Sequence, residues 1–336
     1  MNLRTCLLMV VIAPIVPSIA AAEQRFEYEE PHMGTRFRFV FYAADRQLAD
    51  RAAKAGFARV STLNGIMSDY VETSELMQLC AKFEKATGKP VKVSVDLFFV
   101  LDKANKVSEL SEGSFDVTVR PLVVLWRQAR RTQRLPDATE LADAKKLVGY
   151  RKMKLDAKEK TVELTVPGMQ LDLGGIAKGY AADEVLKVLK EHGITNALVV
   201  AGGDIAVGGK PPGSDGWKVD IAPLPGSKER RLLLLTDAAV STSGDAEQFV
   251  VIDGVRYSHI VDPATGLGLK GQRSVTVIAR HGIDADSLTK MASIFPADKA
   301  IAAIDKLDEV SALIIRKEGD KEVVRESKGF NHYLLK

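Results

Sequence analysis

Cysteine is nearly missing from this chain, with two among 336 residues. Cys6 falls in the opening stretch "MNLRTCLLMVVIAPIVPSIAAAEQ", so loss of that stretch leaves Cys80 alone and no disulfide forms within the chain. Aromatic residues are also scarce, at 6% with two tryptophans. The formal charge is only +3, which excludes the electrostatic footprint of a nucleic-acid binder. Beyond the opening stretch no apolar run reaches the roughly 20 residues that cross a bilayer. Internal repeats and low-complexity linkers are absent as well. The glycines of "AGGDIAVGG" neither match the dinucleotide fingerprint nor precede a helix, which excludes a Rossmann reading.

What is present is ordinary globular composition, 46% hydrophobic and 27% charged, enough for one large or two modest domains. Residues 23–336 are taken as one globular unit, with a division into two sub-lobes as the alternative. The opening stretch has a lone Arg4, an apolar run from Leu7 to Ile19 broken by Pro14 and Pro17, and then Ala20, Ala21 and Ala22. It reads as a signal peptide over 1–22, with a short membrane anchor as the competing reading. Export to the periplasm is expected, either soluble or membrane-associated through an uncleaved leader. Removal of the leader takes Arg4 with it and leaves a charge of about +2.

The periodicities alternate between strand and helix. "TRFRFVFYAAD" reads as a strand and Gln47 to Asn64 as a helix. Ser94 is an expected N-cap for a helix carrying Leu97, Leu101, Ala104 and Ser108 on one face. "KTVELTV", "MQLDL", "ALVVAGGDIAVGG", "GWKVDIA", "RRLLLLT" and "SVTVIAR" read as strands. A helix is expected from Ile176 to His192, ending at Gly193. Asp253 and Gly254 between apolar runs predict a hairpin, "DADSLTKMASIF" a short helix, and "SALIIRKEGDKEVVRE" a final hairpin. Strands mostly follow strands, so the fold class is α+β with largely antiparallel sheets. Arg127, Arg130, Arg131 and Arg134 make the densest basic patch, read as a solvated helix end before Pro136.

Four stretches carry candidate chemistry. "DLGGIAKGYAAD" puts Asp172, two glycines and Lys178 at a helix start, where free N–H groups and partial positive charge already lie. A lysine added there calls for an anion, although a plain strand-to-helix turn with a solvated lysine also fits. "SHIVDPATG" packs His259, Asp262, Thr265 and Gly266 into one turn, as a simple Asp-Pro turn would. "DADSLTKMA" sets Asp284, Asp286 and Thr289 at a helix start, where acidic residues are ordinary dipole partners. "STSGDAEQF" is expected as a loop whose backbone suits a phosphate.

Taken in order and at their separations, "HMGTRF", "SDYVETSEL", "GSFDVTVRPLVVLW", "LDLGGIAKGYAAD", "VVAGGDIAVGG", "STSGDAEQF", "YSHIVDPATG" and "VTVIARHGIDAD" closely resemble the FAD:protein FMN transferase family, the ApbE-like flavin transferases. The resemblance runs from about Met33 to about Phe295. It implies a T-fold-related architecture and an enzyme that binds FAD, uses Mg²⁺ to cleave its pyrophosphate, passes FMN to a threonine hydroxyl of a partner protein and releases AMP. A metal, a lysine and a helix N-terminus would jointly neutralise the charge on the leaving phosphate. Position by position, the resemblance assigns FAD contacts to Met33, Tyr70, Ser114, Phe115, Asp116, Asp172, Lys178, His259 and Ile260. It assigns the metal to the carbonyl of Gly175 and the carboxylate of Asp286, an oxygen ligand of the kind Mg²⁺ prefers.

The chain departs from the family pattern at two places. Four residues after Asp286 the family has a metal-holding threonine, and here stands Lys290, with Thr289 one position earlier. Three arrangements follow: Thr289 supplies the hydroxyl through a shifted turn, Lys290 points away, or Lys290 replaces part of the metal's charge. Arg120 stands where the family commonly has glycine, as an outward cation or a phosphate contact. The proton of the acceptor hydroxyl falls either to His259 or to Asp286. "TSGDAE" lacks the final threonine of a Ser/Thr-Gly-Ala-Thr-like acceptor run, so the acceptor is an outside protein, exported or membrane-bound and redox-active. Two alternatives to transfer are an FAD-binding protein that stores or delivers flavin, and an FAD pyrophosphatase giving FMN and AMP.

Overall fold

The computed structural model describes residues 23–221, 224, 230–244, 248–319 and 321–335. The expected leader, and residues 245–247 of "STSGDAEQF", lie outside the described residues. The chain opens with a hairpin of β1 (Gln24–His32) and β2 (Thr35–Ala43). Its two-residue turn holds Met33 and Gly34 at φ of 50° and 72°, the left-handed pair that suits the twist of the strands. Next come α1 (Arg46–Met67), α2 (Glu75–Lys82), the short β3 (Val91–Lys92) and α3 (Val95–Leu110). The Ser94 hydroxyl accepts from the Leu97 N–H, the expected cap. Then follow α4 (Arg120–Thr132), α5 (Ala138–Lys146), β4 (Met153–Asp156), β5 (Thr161–Leu164) and α6 (Ala177–Glu191). Gly193 ends α6 at φ 80°.

The second half begins with β6 (Ala197–Ala201), β7 (Asp204–Gly208) and a ribbon of β8 (Trp217–Ile221) with β9 (Arg231–Leu235). It continues through β10 (Ala238–Gly244), β11 (Phe249–Ile252), β12 (Val255–Val261), β13 (Gly268–Lys270) and β14 (Arg273–Ala279). The chain closes with α7 (Gly282–Ile294), α8 (Ala297–Ile304) and the hairpin β15 (Ser311–Glu318) and β16 (Lys321–Glu326). One eight-stranded sheet dominates, in the order β1-β2-β6-β7-β10-β14-β15-β16, antiparallel at every pairing. The α+β class read from the sequence is therefore the observed one.

Alternation along the strands sets which face meets which layer. Phe37, Phe39 and Phe41 of β2 point to the face covered by α1, α6 and α7, and Phe39 stacks on Phe57 of α1 at 4.1 Å between ring centroids. Each such fully buried ring stabilises the fold by roughly 2–3 kcal/mol. Val40, Val207, Val240 and Ile278 point the other way, under the β8–β9 ribbon and Phe330. A smaller apolar cluster joins α4 and α5 to the sheet β11-β12-β13, where the Trp126 indole donates to the Ser258 carbonyl at 3.0 Å.

Two expectations fail. "MQLDL" forms no strand: the Leu171 N–H donates to the Cys80 thiol at 3.4 Å and the Asp172 N–H to the Val117 carbonyl at 2.8 Å, so its backbone is spent outside any ladder. Ser241 to Gly244 are not loop but the end of β10, because β14 pairs them on one side. That end lies beside the Gly202–Gly203 turn between β6 and β7, which in turn adjoins the Met33–Gly34 hairpin through Thr35. The Met33–Gly34 and Gly202–Gly203 turns and the end of β10 thus gather at one end of the sheet.

Candidate active site

The start of α6 faces that end of the sheet. No side chain caps this helix from its own N-cap, Ile176. Asp172, expected at the helix start, instead folds back in a turn and accepts from the Gly174 N–H at 2.8 Å. The N–H of Gly179, in the first turn of α6, donates to Oδ2 of Asp286 at 3.1 Å. The helix start therefore meets an anion from inside the protein, carried by α7.

Asp286 is fully buried. Its Oδ2 lies 3.5 Å from Nζ of Lys178, and its Oδ1 forms a short ion pair with Nζ of Lys290 one turn along α7. Lys178 also reaches Oδ2 of Asp204 at 3.0 Å and donates to the Gly174 carbonyl at 3.2 Å. Asp204 begins β7 and accepts at Oδ1 from the Ser241 hydroxyl of β10. Two lysines and two aspartates thus close a network that joins α6, α7, β7 and β10. Burial alone would raise the pKa of Asp286, but the ammonium groups of Lys178 and Lys290 outweigh it and hold the carboxyl below the ordinary range. Burial works against a charged Lys178, and Asp204 and Asp286 more than compensate, so its pKa rises.

Thr289 is fully buried beside this network. Its hydroxyl donates to the Asp286 carbonyl at 2.7 Å and accepts from the Ser243 hydroxyl at 2.9 Å and from Nζ of Lys290 at 3.1 Å. A hydroxyl has one proton and two lone pairs, so Thr289 has nothing left to offer. The stem of Lys290 crosses Gly175: a Cβ there would lie 3.2 Å from Cγ of Lys290 and 3.4 Å from the Phe115 ring.

These contacts decide how the assigned ligands suit a divalent ion. Mg²⁺ seeks about six oxygens near 2.0–2.1 Å. Lys290 puts an ammonium on both side-chain ligands at once, and Lys178 takes the far oxygen of Asp286. The arrangement in which Lys290 points away is thereby excluded. As the residues stand, the set does not fit a divalent cation. Nor is any group of three or more His, Cys, Asp and Glu side chains placed to hold a metal among the described residues.

The other assigned residues lie around the network. His259, on β12, has its N–H and Nδ1 near the Gln248 carbonyl, at 3.1 and 3.3 Å. Burial lowers its pKa to about 4, and the positive charges of Lys290, Arg130 and Lys178 push the same way. Ile260 is buried. Ser114 and Phe115 follow α3, and their segment runs beside 172–175 through the bond of Asp172 N–H to Val117. Asp116 turns inward. Its carboxylate accepts from the Thr118 N–H and hydroxyl at 2.8 and 2.7 Å and from the Tyr150 N–H at 2.7 Å.

Tyr70 is 75% exposed, a ring face open to solvent. The Arg127 guanidinium lies 4.4 Å from its centroid and donates to Asp69 at 2.7 Å and Asp172 at 3.1 Å. Arg127 is therefore no solvated helix end, as its neighbours in sequence suggested, but the link between the Tyr70 loop and the start of α6. Arg120 also turns inward, bonding the Gln170 side chain and the Asp69 carbonyl rather than pointing outward. Sequence reasoning assigned no role to the side chains of Asp204 and Arg127, and read Ser241 and Ser243 only as part of a loop whose backbone suits a phosphate. Only the aspartate after the paired glycines of "AGGD" gave a local signal.

Comparison with known proteins bears on the fold and the family. Residues 33–314 match the model of the ApbE family. An FAD:protein FMN transferase of Klebsiella pneumoniae is 30% identical over 303 residues, covering 88% of this chain and 90% of the relative. One of Treponema pallidum is 34% identical over 253 residues, 70% of each chain. Among solved structures, the flavin transferase ApbE from Vibrio cholerae superposes with a TM-score of 0.83 at 28% identity, covering 93% of this chain and all of that one.

Proposed function

The chain belongs to the ApbE family, and on that premise we propose that it works as its relatives do, as an FAD:protein FMN transferase. The reaction cleaves the pyrophosphate of FAD, joins the FMN phosphate to a threonine hydroxyl of an acceptor protein and releases AMP. The observation that carries this reading on the chain's own residues is the pair of ammonium groups converging on Asp286 at the start of α6. Ammonium groups placed at a helix N-terminus can turn donors toward a diphosphate, and more so as charge builds on the departing phosphate.

Within this reading, Tyr70, Met33, Phe115 and Ile260 form walls for the flavin and adenine rings, with Ser114 between them. Asp116 and Asp172 fasten those walls. Lys178 and Lys290 face the diphosphate across Gly175. The proton of the acceptor hydroxyl goes to His259 or to Asp286: His259 is neutral because burial and nearby cations disfavour its protonated form, and Asp286 is tied to two lysines. Mg²⁺ supplies charge to the leaving phosphate in the reaction that the family resemblance implies. Asp286 and Thr289, which the resemblance assigns to that metal, are engaged here by Lys178, Lys290 and Ser243. The acceptor is an exported or membrane-bound redox protein, met after export through the leader at 1–22.

The test is to incubate the purified protein with FAD and an acceptor domain bearing a Ser/Thr-Gly-Ala-Thr run, with Mg²⁺ and with EDTA. A flavin-fluorescent acceptor band, lost when the acceptor threonine becomes alanine, is expected with one AMP per flavin. No labelled acceptor under either condition overturns transfer. AMP with free FMN then identifies a pyrophosphatase. FAD retained without AMP identifies a flavin carrier, the second reading, which the engaged state of Asp286 and Thr289 favours.

A further inference from the structure

Lys290 is placed as a cation at a centre that the family resemblance assigns to a metal. We propose that its ammonium group substitutes for a divalent cation at Asp286, so that this protein holds the diphosphate of FAD with Lys178 and Lys290 and needs no added metal to do so. The inference rests on the reading of this site as the FAD site.

Three independent features of the site carry it. The first is contact: Nζ of Lys290 touches the Asp286 carboxylate and lies 3.1 Å from the Thr289 hydroxyl. The remaining capacity of Thr289 is used by Ser243 and by the Asp286 carbonyl. The second is passage. The lysine stem lies over Gly175, where any Cβ would press on Cγ at 3.2 Å and approach Cε at 3.6 Å. Glycine at 175 thus gives the stem its route from α7 to the start of α6. The third is charge. Asp204 and Asp286 are balanced by Lys178 and Lys290, so without FAD neither carboxylate has unpaired charge left to hold a dication. A lysine four residues after an aspartate on one helix also reinforces α7 itself, so the pair is favoured locally.

An ammonium differs from a metal in what it offers. It donates three hydrogen bonds and one positive charge, enough to bind phosphate oxygens but weaker than a dication at stabilising a departing phosphate. Retention of FAD therefore becomes independent of metal.

The experiment uses the full chain and two readouts. Binding of Mn²⁺ is followed by electron paramagnetic resonance without FAD, and binding of FAD by flavin fluorescence with MgCl₂ or with EDTA. For the unaltered protein the expected results are no protein-bound Mn²⁺ and an FAD affinity that is the same in both media. Lys290→Thr is expected to gain a Mn²⁺ site, lost again in Lys290→Thr with Asp286→Asn. Its FAD affinity in EDTA should drop by at least about tenfold, because Asp286 then keeps only one cation. Lys290→Met, which keeps the stem, guards against a folding defect and should lose FAD affinity without gaining a metal site. Mn²⁺ bound by the unaltered protein through Asp286, or FAD affinity that falls tenfold in EDTA, overturns the proposal. FAD bound in neither medium instead overturns the reading of the site, and the Mn²⁺ measurement alone then decides the role of Lys290.

Discussion

Gly179 and Gly282 meet backbone to backbone where α6 crosses α7: a Cβ on Gly179 would stand 2.0 Å from the Gly282 carbonyl oxygen. The same turn of α6 donates the N–H that Asp286 accepts, so the crossing distance and the site geometry are one quantity. Gly179→Ala must push the helices apart. A loss of about 2–3 kcal/mol is expected, the scale of an overpacked core with backbone shift. Chemical denaturation measures it, and FAD affinity should fall alongside; unchanged stability would show that the crossing is loose.

Asp183 holds the second helix of that crossing. Its carboxylate accepts the N–H groups of Gly282 and Ile283 at 2.6 and 3.0 Å, whereas His281, the residue at the cap position of α7, gives no side-chain bond. Asp183→Ala should cost about 1–2 kcal/mol as a lost cap and displace Asp286 three residues further on. Burial pushes the Asp183 pKa to about 7, above its ordinary value near 4. The folded state therefore binds this proton more tightly than the unfolded chain. The stability that Asp183 contributes is full at low pH and lost as pH rises from about 4 through about 7. Melting curves of the protein against Asp183→Asn across that range should diverge in this direction; parallel curves would count against a raised pKa.

Arg127 joins two carboxylates and a ring. Replacing it with alanine leaves Asp69 and Asp172 with Arg120, whose Nε lies 3.9 Å from Asp69, as a remaining nearby cation, and the pKa of Asp172 is already raised by burial and by Asp69. A cost of about 1–3 kcal/mol is expected, since Arg127 is 33% exposed and Arg120 stays beside Asp69. Lysine should restore little of it, since a single ammonium does not reproduce the planar fork that reaches two carboxylates beneath an aromatic face. Melting temperature and FAD affinity of Arg127→Ala and Arg127→Lys test both points; full rescue by lysine would reduce Arg127 to a point charge.

Arg127 also shows where the sequence stops being legible. The antiparallel sheet, the Asp253–Gly254 hairpin, the Ser94 cap and the span of α6 follow from local pattern, because alternation, turn chemistry and capping act within a few residues. The motif order pointed to the family for the same reason. Partners distant in the chain leave no such trace. Arg127 reads as one arginine among four until Asp69 and Asp172 fold around it, and Ser241 and Ser243 read as a polar loop until β14 pairs with them. Lys290 was visible as a departure, yet its inward course depends on Gly175, more than a hundred residues earlier. Lys178 was expected to await an outside anion, and Asp204 and Asp286 meet it from within.

His259 gives the most direct probe of that internal charge. Burial and the cations Lys290, Arg130 and Lys178 together lower its pKa to about 4, against about 6.5 when unfolded. Between these values the unfolded chain binds the proton and the folded one does not, so the contribution of His259 to stability declines as pH falls from about 6.5 to about 4. Across pH 5–8 its imidazole is neutral. The ring signals of His259 should therefore stay unshifted over that range in a nuclear magnetic resonance titration. Lys290→Met removes one of the three charges and should move the midpoint upward. A midpoint already near 6.5 in the unaltered protein would mean that His259 is solvated and lies apart from the lysine network.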